Sequence, residues 1–262
     1  MYKDTKAFTL VELLVVVAVI GMLASIVLVS LSGTKDKARL AQGQSFYAQL
    51  SHALAIDAAG VWKFEGNAND SSGHGNNGTV TGATLKTADQ CGLGFGGCMS
   101  FDGNDWVKIN GDVGLTGAMT ISFWFNTPNK NIQYFFDNRS PGSWWFIKNY
   151  NGGKCKDNPG NICFENRVMA KDSDWNINEW THVAVTDDTS VAKMYINGKL
   201  VDTGTGESTT ISTNLRIGTR YTNSSYFQGM IDEVAVYNTT FTAFEIQQMY
   251  AQGAERHPLV QH

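Results

Sequence analysis

The sequence predicts an α+β protein: a long amino-terminal transmembrane and stalk helix, followed by an all-β antiparallel sandwich with a short carboxy-terminal helix. Three observations lead to this prediction. An uncharged apolar run extends from Leu13 to Gly33. After Gly60 the hydrophobic period changes from that of a helix to that of strands. Near the end of the chain, Thr242 and Glu245 form a capping box ahead of a short helical pattern.

The apolar run is long enough to cross a bilayer. At about 1.5 Å per residue it would form a helix of roughly 31 Å, close to the hydrocarbon thickness of a membrane. Glu12 lies at its amino-terminal end, where an ionisable group is costly unless it has a partner. Residues 34–60 keep a helical rhythm and predict an amphipathic stalk that continues the helix.

Three interpretations of residues 1–33 compete. A cleavable secretory signal has an apolar core of about 7–15 residues, which is shorter than this run. A simple membrane anchor accounts for the length of the run and leaves Glu12 unexplained. Neither interpretation explains both the length of the apolar run and the presence of Glu12.

The third interpretation is a resemblance to the leader and first helix of type IV prepilins. The residues that carry it are Lys6-Ala7 followed by Phe8-Thr9-Leu10-Val11-Glu12. The resemblance implies a leader over 1–7, cleavage between Ala7 and Phe8 by a prepilin peptidase, and N-methylation of Phe8. It also implies an assembly helix over 8–33, in which Glu12 neutralises the new amino terminus and registers each subunit in a filament. Ala7 departs from the family, which usually has Gly before the cut.

The remaining two hundred residues have the patterning of an antiparallel sandwich. Short alternating or β-branched runs are separated by loops rich in Gly, Asn, Asp and Ser, and they predict strands near 61–64, 119–125, 180–186, 215–217 and 230–237. Asn197-Gly198 between two such runs predicts a hairpin with a two-residue turn. The capping box predicts a helix from Thr242 through Tyr250, stopped by Gly253.

A second resemblance covers this region from 61 to 253 and leaves 254–262 as a flexible tail. The turn Asp70-Ser71-Ser72-Gly73-His74-Gly75 is similar to the one that opens laminin-G-like, concanavalin-A-like jelly rolls. Further motifs follow in the family's order: Ser100-Phe101-Asp102-Gly103, Trp180-Thr181-His182-Val183, Tyr195-Ile196-Asn197-Gly198 and Gly229-Met230-Ile231-Asp232. The resemblance implies a jelly-roll fold.

The four cysteines fall in two close pairs, Cys91 with Cys98 and Cys155 with Cys163. Two local disulfides suit a chain exported past the membrane, and four reduced thiols would suit a cytoplasmic one. Neither pair has the Cys-x-x-Cys spacing of zinc sites or thioredoxin-like redox sites. The predicted membrane-inserting helix over residues 8–33 implies export and therefore favours two disulfides over four reduced thiols.

No catalytic constellation emerges from the sequence. Glycosidases need two carboxylates at a defined separation, and Asp232 and Glu233 are adjacent, which on a regular strand places them on opposite faces. His182 alternates with apolar residues and is interpreted as a structural histidine. We therefore expect no enzyme activity and no catalytic residues.

Two kinds of ligand remain. The jelly-roll resemblance implies Ca²⁺, with Asp70 and Asp232 at positions where the family has acids and Asn76 as an added oxygen ligand; oxygen-only ligands suit this ion. The second kind is a carbohydrate or cell-surface ligand. Loop aromatic residues favour it, because aromatic side chains can stack on sugar rings. The loop aromatics considered for it are Trp144, Trp145, Tyr150, Trp175, Tyr221 and Tyr226.

The first functional hypothesis is a type IV pilin-like subunit in a homopolymer or with other pilin subunits, displaying its jelly roll for adhesion. It would be held by a single pass in the inner membrane before assembly and lie in an extracellular pilus afterwards. The alternatives are a pseudopilin of a type II secretion or DNA-uptake system, and a membrane-anchored carbohydrate-binding protein that does not polymerise. The formal net charge of -4 gives no reason to expect nucleic acid as a partner.

Overall fold

A computed structural model describes residues 10–11, 13–20, 58–94, 96–138, 146–149, 160–165, 167–207, 209–211 and 215–257. The chain divides into two compact units, Met1–Ala53 and Leu54–His262, which are described separately. In the first unit, residues 10–11 and 13–20 are helical and exposed. Among the described residues, no helix has the length and apolar character needed to cross a membrane.

The described residues of the second unit form β-strands and two short helices. The strands are β1 Ala58–Trp62, β2 Gly78–Thr81, β3 Thr84–Thr87, β4 Gly97–Asp102, β5 Trp106–Ile109, β6 Leu115–Gly117, β7 Met119–Asn126, β8 Gln133–Asp137, β9 Phe146–Asn149, β10 Ile162–Phe164, β11 Val168–Ala170, β12 Thr181–Asp187, β13 Val191–Ile196, β14 Lys199–Thr205, β15 Thr209–Ile211, β16 Arg216–Ile217 and β17 Gln228–Tyr237. The helices are α1 Ala88–Cys91 and α2 Ala243–Arg256, with a 3₁₀ turn at Asp172–Asp174.

Most of the described strands form two antiparallel sheets that enclose the core, as expected for a jelly roll. Sheet A has the order β14-β13-β12-β7-β17-β4-β3, with β1 also paired to β17. Sheet B has the order β11-β10-β9-β8-β16-β5-β2, and β15 pairs with β6 in a separate two-stranded sheet. Strand order differs from chain order in both sheets, so residues remote in sequence become neighbours.

Period-two alternation decides which side chains enter the core. On β7, Ile121, Phe123 and Phe125 lie in the main core cluster, which also contains side chains of sheet B. Ser122 and Trp124 lie on the opposite face of the same strand, away from that cluster. Sheet A thus has an outer face of its own, and α2 packs on it.

Helix α2 covers this outer face through apolar contacts and begins at the predicted capping box. The backbone N–H of Glu245 donates to Thr242 Oγ1 at 3.3 Å, and that of Thr242 donates to Glu245 Oε2 at 2.7 Å. Ile246 joins a buried cluster with Tyr195 and Tyr237 of the sheet. The predicted hairpin is confirmed as well: β13 pairs with β14, and Asn197 and Gly198 have φ values of 49° and 74°.

Two sequence-predicted boundaries are wrong. The helical stalk was expected to reach Gly60, but β1 begins at Ala58 because this segment pairs with the end of β17. The carboxy-terminal helix was expected to stop at Gly253 before a flexible tail, but α2 continues to Arg256, and both Arg256 and His257 are buried. The remaining stalk residues 34–57 and the tail residues 258–262 lie outside the described residues.

Candidate functional site

The residues assigned to processing and assembly, Ala7, Phe8 and Glu12, lie outside the described residues. Their roles stay predictions. The neighbouring Leu10 and Val11 are helical, with side chains 79% and 70% exposed. Such exposure of large apolar side chains is typical of a surface that contacts lipid or another subunit.

The first predicted disulfide is present. Cys91 at the end of α1 is bonded to Cys98 on β4. The indole of Trp180 donates to the Cys91 carbonyl at 2.9 Å and so ties this loop to sheet A. Cys163 is also disulfide-bonded, while Cys155, its predicted partner, lies outside the described residues.

Asp70 organises its own loop by accepting backbone hydrogen bonds. Its Oδ1 accepts from Val61 N at 3.0 Å and Ser72 N at 2.8 Å, and its Oδ2 accepts from Asn76 N at 3.0 Å. Burial acts to raise the pKa of Asp70, but these donors hold it below its ordinary value. Asn76 in turn donates its Nδ2 to the Ala59 carbonyl at 3.0 Å. Both side chains are used to fasten the loop to β1.

Asp232 lies in a different environment, buried beneath α2 beside a cation. Its Oδ2 is 3.0 Å from Arg256 Nη2 and 3.0 Å from His257 Nε2. Within the described residues, no group of three or more His, Cys, Asp or Glu side chains could hold a metal ion. Asp70 and Asn76 hold their own loop, whereas Asp232 contacts Arg256 and His257. Calcium binding by these three residues stays a prediction.

Asp232 and Glu233 do not point to opposite faces, as adjacent residues of a regular strand would. A β-bulge interrupts the pairing of β17 with β7 at this point, and Glu233 has a φ of 46°. The bulge turns both carboxylates towards Arg256, whose Nη1 donates to Glu233 Oε1 at 3.2 Å. The two acids therefore serve a buried polar network under α2.

His182 and Ser122 form a buried pair on the outer face of sheet A. Ser122 Oγ lies 2.8 Å from His182 Nε2, and both side chains are at least 95% buried. Among the described residues the Nδ1 of His182 has no hydrogen-bond partner, so no carboxylate orients the ring. Burial and the nearby His257 lower the pKa of His182 to about 3. The ring is neutral and enclosed, as a structural histidine would be.

The aromatic residues considered for ligand binding fall into three groups. Trp144, Trp145 and Tyr150 lie outside the described residues. Trp175 was a wrong choice: it is 2% exposed, its indole donates to the Gly160 carbonyl at 2.8 Å, and it belongs to the main core. Tyr221 and Tyr226 remain at the surface.

Tyr221 and Tyr226 lie beside basic side chains on the outer face of sheet B. We call this surface the aromatic–basic face; it comprises Trp106, Lys108, Arg216, Arg220, Tyr221 and Tyr226. The Trp106 and Tyr226 rings are 6.1 Å apart with planes inclined at 31°. Arg220 lies over the Tyr221 ring at 5.4 Å from its centroid. Each of the six side chains is half-buried or exposed.

Sheet register places the basic residues together. Lys108 on β5 is the direct cross-strand partner of Arg216 on β16, so both project from the same face. Trp106 precedes Lys108 by two positions and shares that face, whereas Val107 and Ile217 point into the core. The alternations Trp106-Val107-Lys108-Ile109 and Leu215-Arg216-Ile217 are the local signals for these residues, and neither reveals that the two strands are paired.

The loop between β16 and β17 borders the face and is held in place by backbone bonds. Phe227 N donates to the Gly218 carbonyl at 2.8 Å, and Tyr134 N donates to the Ser225 carbonyl at 3.1 Å. The backbone N–H of Tyr221 donates to Asp137 Oδ2 at 3.1 Å. The aromatic rings of this loop are therefore presented from a fixed backbone.

Comparison with protein families identifies both parts of the chain. Residues 2–28 match the model of the prokaryotic N-terminal methylation motif, and residues 101–247 match that of the concanavalin A-like lectin/glucanases superfamily. No curated protein is significantly similar to the chain in sequence.

Solved structures share the fold at low sequence identity. Domain 4 of AbnA, a GH43 extracellular arabinanase from Geobacillus stearothermophilus solved with arabinotriose, is 20% identical with a TM-score of 0.60, over 74% of this chain and 98% of that domain. The botulinum neurotoxin serotype D ligand-binding domain, solved with N-acetylneuraminic acid, is 17% identical with a TM-score of 0.56, over 78% of this chain and 52% of that one.

A third solved structure with this fold is the binding domain of Paraclostridial Mosquitocidal Protein 1. It is 17% identical with a TM-score of 0.57, over 76% of this chain and 53% of that one. The chain thus spans about half the length of the two toxin domains. These likenesses concern the fold. The chain carries a prokaryotic N-terminal methylation motif and belongs to the concanavalin A-like lectin/glucanases superfamily.

Proposed function

We propose that this chain is a type IV pilin-like subunit that polymerises through its amino-terminal helix and displays a carbohydrate-recognising jelly roll outside the cell. The observation that carries the proposal is the presence of both modules in one chain: the methylation motif at 2–28 and the lectin-like domain at 101–247. A lectin-like domain fused to an assembly segment is suited to adhesion.

In this proposal, opposite charges near the amino terminus, on Phe8 and Glu12, guide the assembly of the filament. A prepilin peptidase cuts between Ala7 and Phe8, which leaves a cationic amine on Phe8. Glu12 lies one helical turn further on and neutralises that amine, within its own chain or across to a neighbouring subunit. An unpaired carboxylate in the apolar core of a filament would be costly, so this pairing favours one register of assembly.

Recognition of a carbohydrate is assigned to the aromatic–basic face. Aromatic rings offer flat apolar surfaces to sugar rings, and Trp106, Tyr221 and Tyr226 are accessible there. The fold relatives solved with arabinotriose and with N-acetylneuraminic acid support a saccharide as the class of ligand. The fixed backbone of the bordering loop lowers the ordering cost of binding.

Binding without hydrolysis is the activity we propose, although the superfamily includes glucanases. The adjacent carboxylates Asp232 and Glu233 are engaged by Arg256 under α2 rather than flanking an open cleft. A glycosidase needs two carboxyl groups on either side of an accessible glycosidic bond. An assay of sugar release from bound glycans should therefore give no product.

Electron microscopy and mass spectrometry of sheared surface filaments test the proposal. We expect filaments that contain this chain with N-methylated Phe8 at its amino terminus. Recovery of the chain from the membrane fraction alone, with residues 1–7 still attached, would refute polymerisation. Its recovery in filaments that stay beneath the outer surface would instead indicate a pseudopilin.

A further inference from the structure

We propose that the aromatic–basic face selects acidic saccharides, meaning sugars that bear a carboxylate or a sulfate. The inference rests on the proposed carbohydrate recognition and adds the charge of the ligand. It starts from the pairing of Lys108 with Arg216 across neighbouring strands of sheet B. Directly opposite side chains on antiparallel strands have Cβ atoms about 4.5–5.5 Å apart, and like charges at that separation are destabilising.

Within the described residues, neither Lys108 nor Arg216 has an anionic partner in an ion pair. Lys108 is exposed. The guanidinium of Arg216 donates to Asn223 Oδ1, a neutral acceptor. Asp137 is the cross-strand partner of Arg216 on β8, but it is fully buried and accepts from the Tyr221 backbone. Two adjacent positive charges therefore remain available to an anion.

A third cation borders the same surface. Arg220 lies over the Tyr221 ring, and its Nε is buried with no hydrogen-bond partner among the described residues. Arginine carries five N–H donors, so Arg216 keeps donors in addition to the one used by Asn223. Guanidinium groups match the geometry of carboxylates and of phosphate-like oxyanions, which makes an oxyanion the fitting partner for this set.

The aromatic side chains make the ligand a sugar rather than a simple anion. Trp106 is two positions from Lys108 on β5, and Tyr226 lies beside Trp106. A pyranose ring that stacks on these residues would place its acidic substituent within reach of the Lys108–Arg216 pair. Aromatic contact and charge recognition are thus combined on one surface.

A glycan array probed with the full-length protein in detergent tests the inference, with each neutral glycan printed beside carboxylated and sulfated forms of the same core. We expect acidic forms to bind at least tenfold more tightly than neutral ones, and the difference to shrink as salt rises. The double variant Lys108→Gln/Arg216→Gln should bind acidic glycans at least tenfold more weakly. The matched control Lys199→Gln, which removes an exposed charge on β14, should bind as the wild type does.

The outcomes separate this inference from the proposed function. Equal binding of neutral and acidic forms, or full retention of acidic binding by the double variant, overturns the charge selectivity and leaves carbohydrate recognition standing. Binding of polyglutamate as tightly as of acidic glycans overturns the requirement for a sugar. Absence of binding to every glycan refutes carbohydrate recognition, and the inference with it.

Discussion

His257 lies flat on the indole of Trp124, with ring centroids 4.2 Å apart and planes 5° apart. Its Nδ1 donates to the Gly253 carbonyl at 2.8 Å, so Nε2 faces Asp232 Oδ2 as an acceptor. Burial raises the pKa of Asp232 to about 8, against the attraction of Arg256, and lowers that of His257 to about 4. The ring stacking and the contact with Asp232 together hold the end of α2 against sheet A.

Replacing Arg256 by methionine should destabilise the jelly roll by about 3 kcal/mol. Arg256 is 3% exposed, and its guanidinium contacts Glu65, Glu233 and the Gly97 carbonyl. Methionine fills similar space but removes the donor to the buried Gly97 carbonyl and the charge partner of the half-buried Glu233. Thermal unfolding of the full-length protein, followed by tryptophan fluorescence, measures the effect.

The control for this variant is Arg216→Met, because Arg216 is half-buried and forms no ion pair within the described residues. It should change the free energy of unfolding by less than about 1 kcal/mol. Equal effects of the two substitutions would contradict a special role for Arg256.

Replacing Gly253 by alanine should destabilise the protein by about 1–3 kcal/mol, the usual cost of overpacking. Alanine is favoured over glycine inside a helix by about 1 kcal/mol, so propensity alone predicts the opposite sign. A Cβ at this position would lie 2.5 Å from Trp124 Nε1. Gln247→Ala, at an exposed position of α2, is the control and should be neutral or slightly stabilising. A rise in melting temperature for Gly253→Ala would show that Trp124 can move aside.

Acidification should weaken the fold through His182. The pKa of His182 in the folded state, about 3, lies below the ordinary value of 6.5, so its contribution to stability is fully present above pH 6.5 and is lost as pH falls towards 3. Between pH 6.5 and 4 the loss amounts to about 3 kcal/mol. Replacing both partners of the buried hydrogen bond, in Ser122→Ala/His182→Phe, should remove this component.

The measurement is the free energy of unfolding of wild type and double variant across that pH range. His257 titrates in the same direction in both proteins, so their difference isolates His182. Parallel pH profiles would mean that His182 is not buried neutral in the folded state.

Replacing Glu12 by alanine should leave membrane insertion intact and abolish filaments, because the amine of Phe8 would lose its counter-charge. Filament yield after shearing, with membrane-bound protein quantified in parallel, is the measurement. Asp36→Ala removes an acid beyond the apolar run and should assemble normally. A normal yield of filaments from Glu12→Ala would exclude the role assigned to the acid.

Local sequence patterns were sufficient to predict a turn, a helix start, the core face of one strand and the methylation motif. The turn at Asn197-Gly198 and the capping box of Thr242 and Glu245 depend on residues a few positions apart, and the structure confirms both. The alternation along β7 likewise decided which of its side chains enter the core. The methylation motif is equally local, being contiguous within residues 2–28. Signals of this kind are complete in the sequence because the interacting groups are near neighbours along the chain.

Other features were decided only by the tertiary structure. The sequence predicts that Gly253 ends the helix, yet this residue lies inside α2. Glycine is needed there because Trp124 of β7 leaves no room for a Cβ. Trp175 was predicted to be a loop aromatic but packs in the core. The bulge at Glu233 directs the carboxylates of Asp232 and Glu233 towards Arg256. Lys108 meets Arg216 because sheet B pairs strands that are distant in the chain. Long-range register is fixed by the collective packing of both sheets, so no short stretch of sequence contains it.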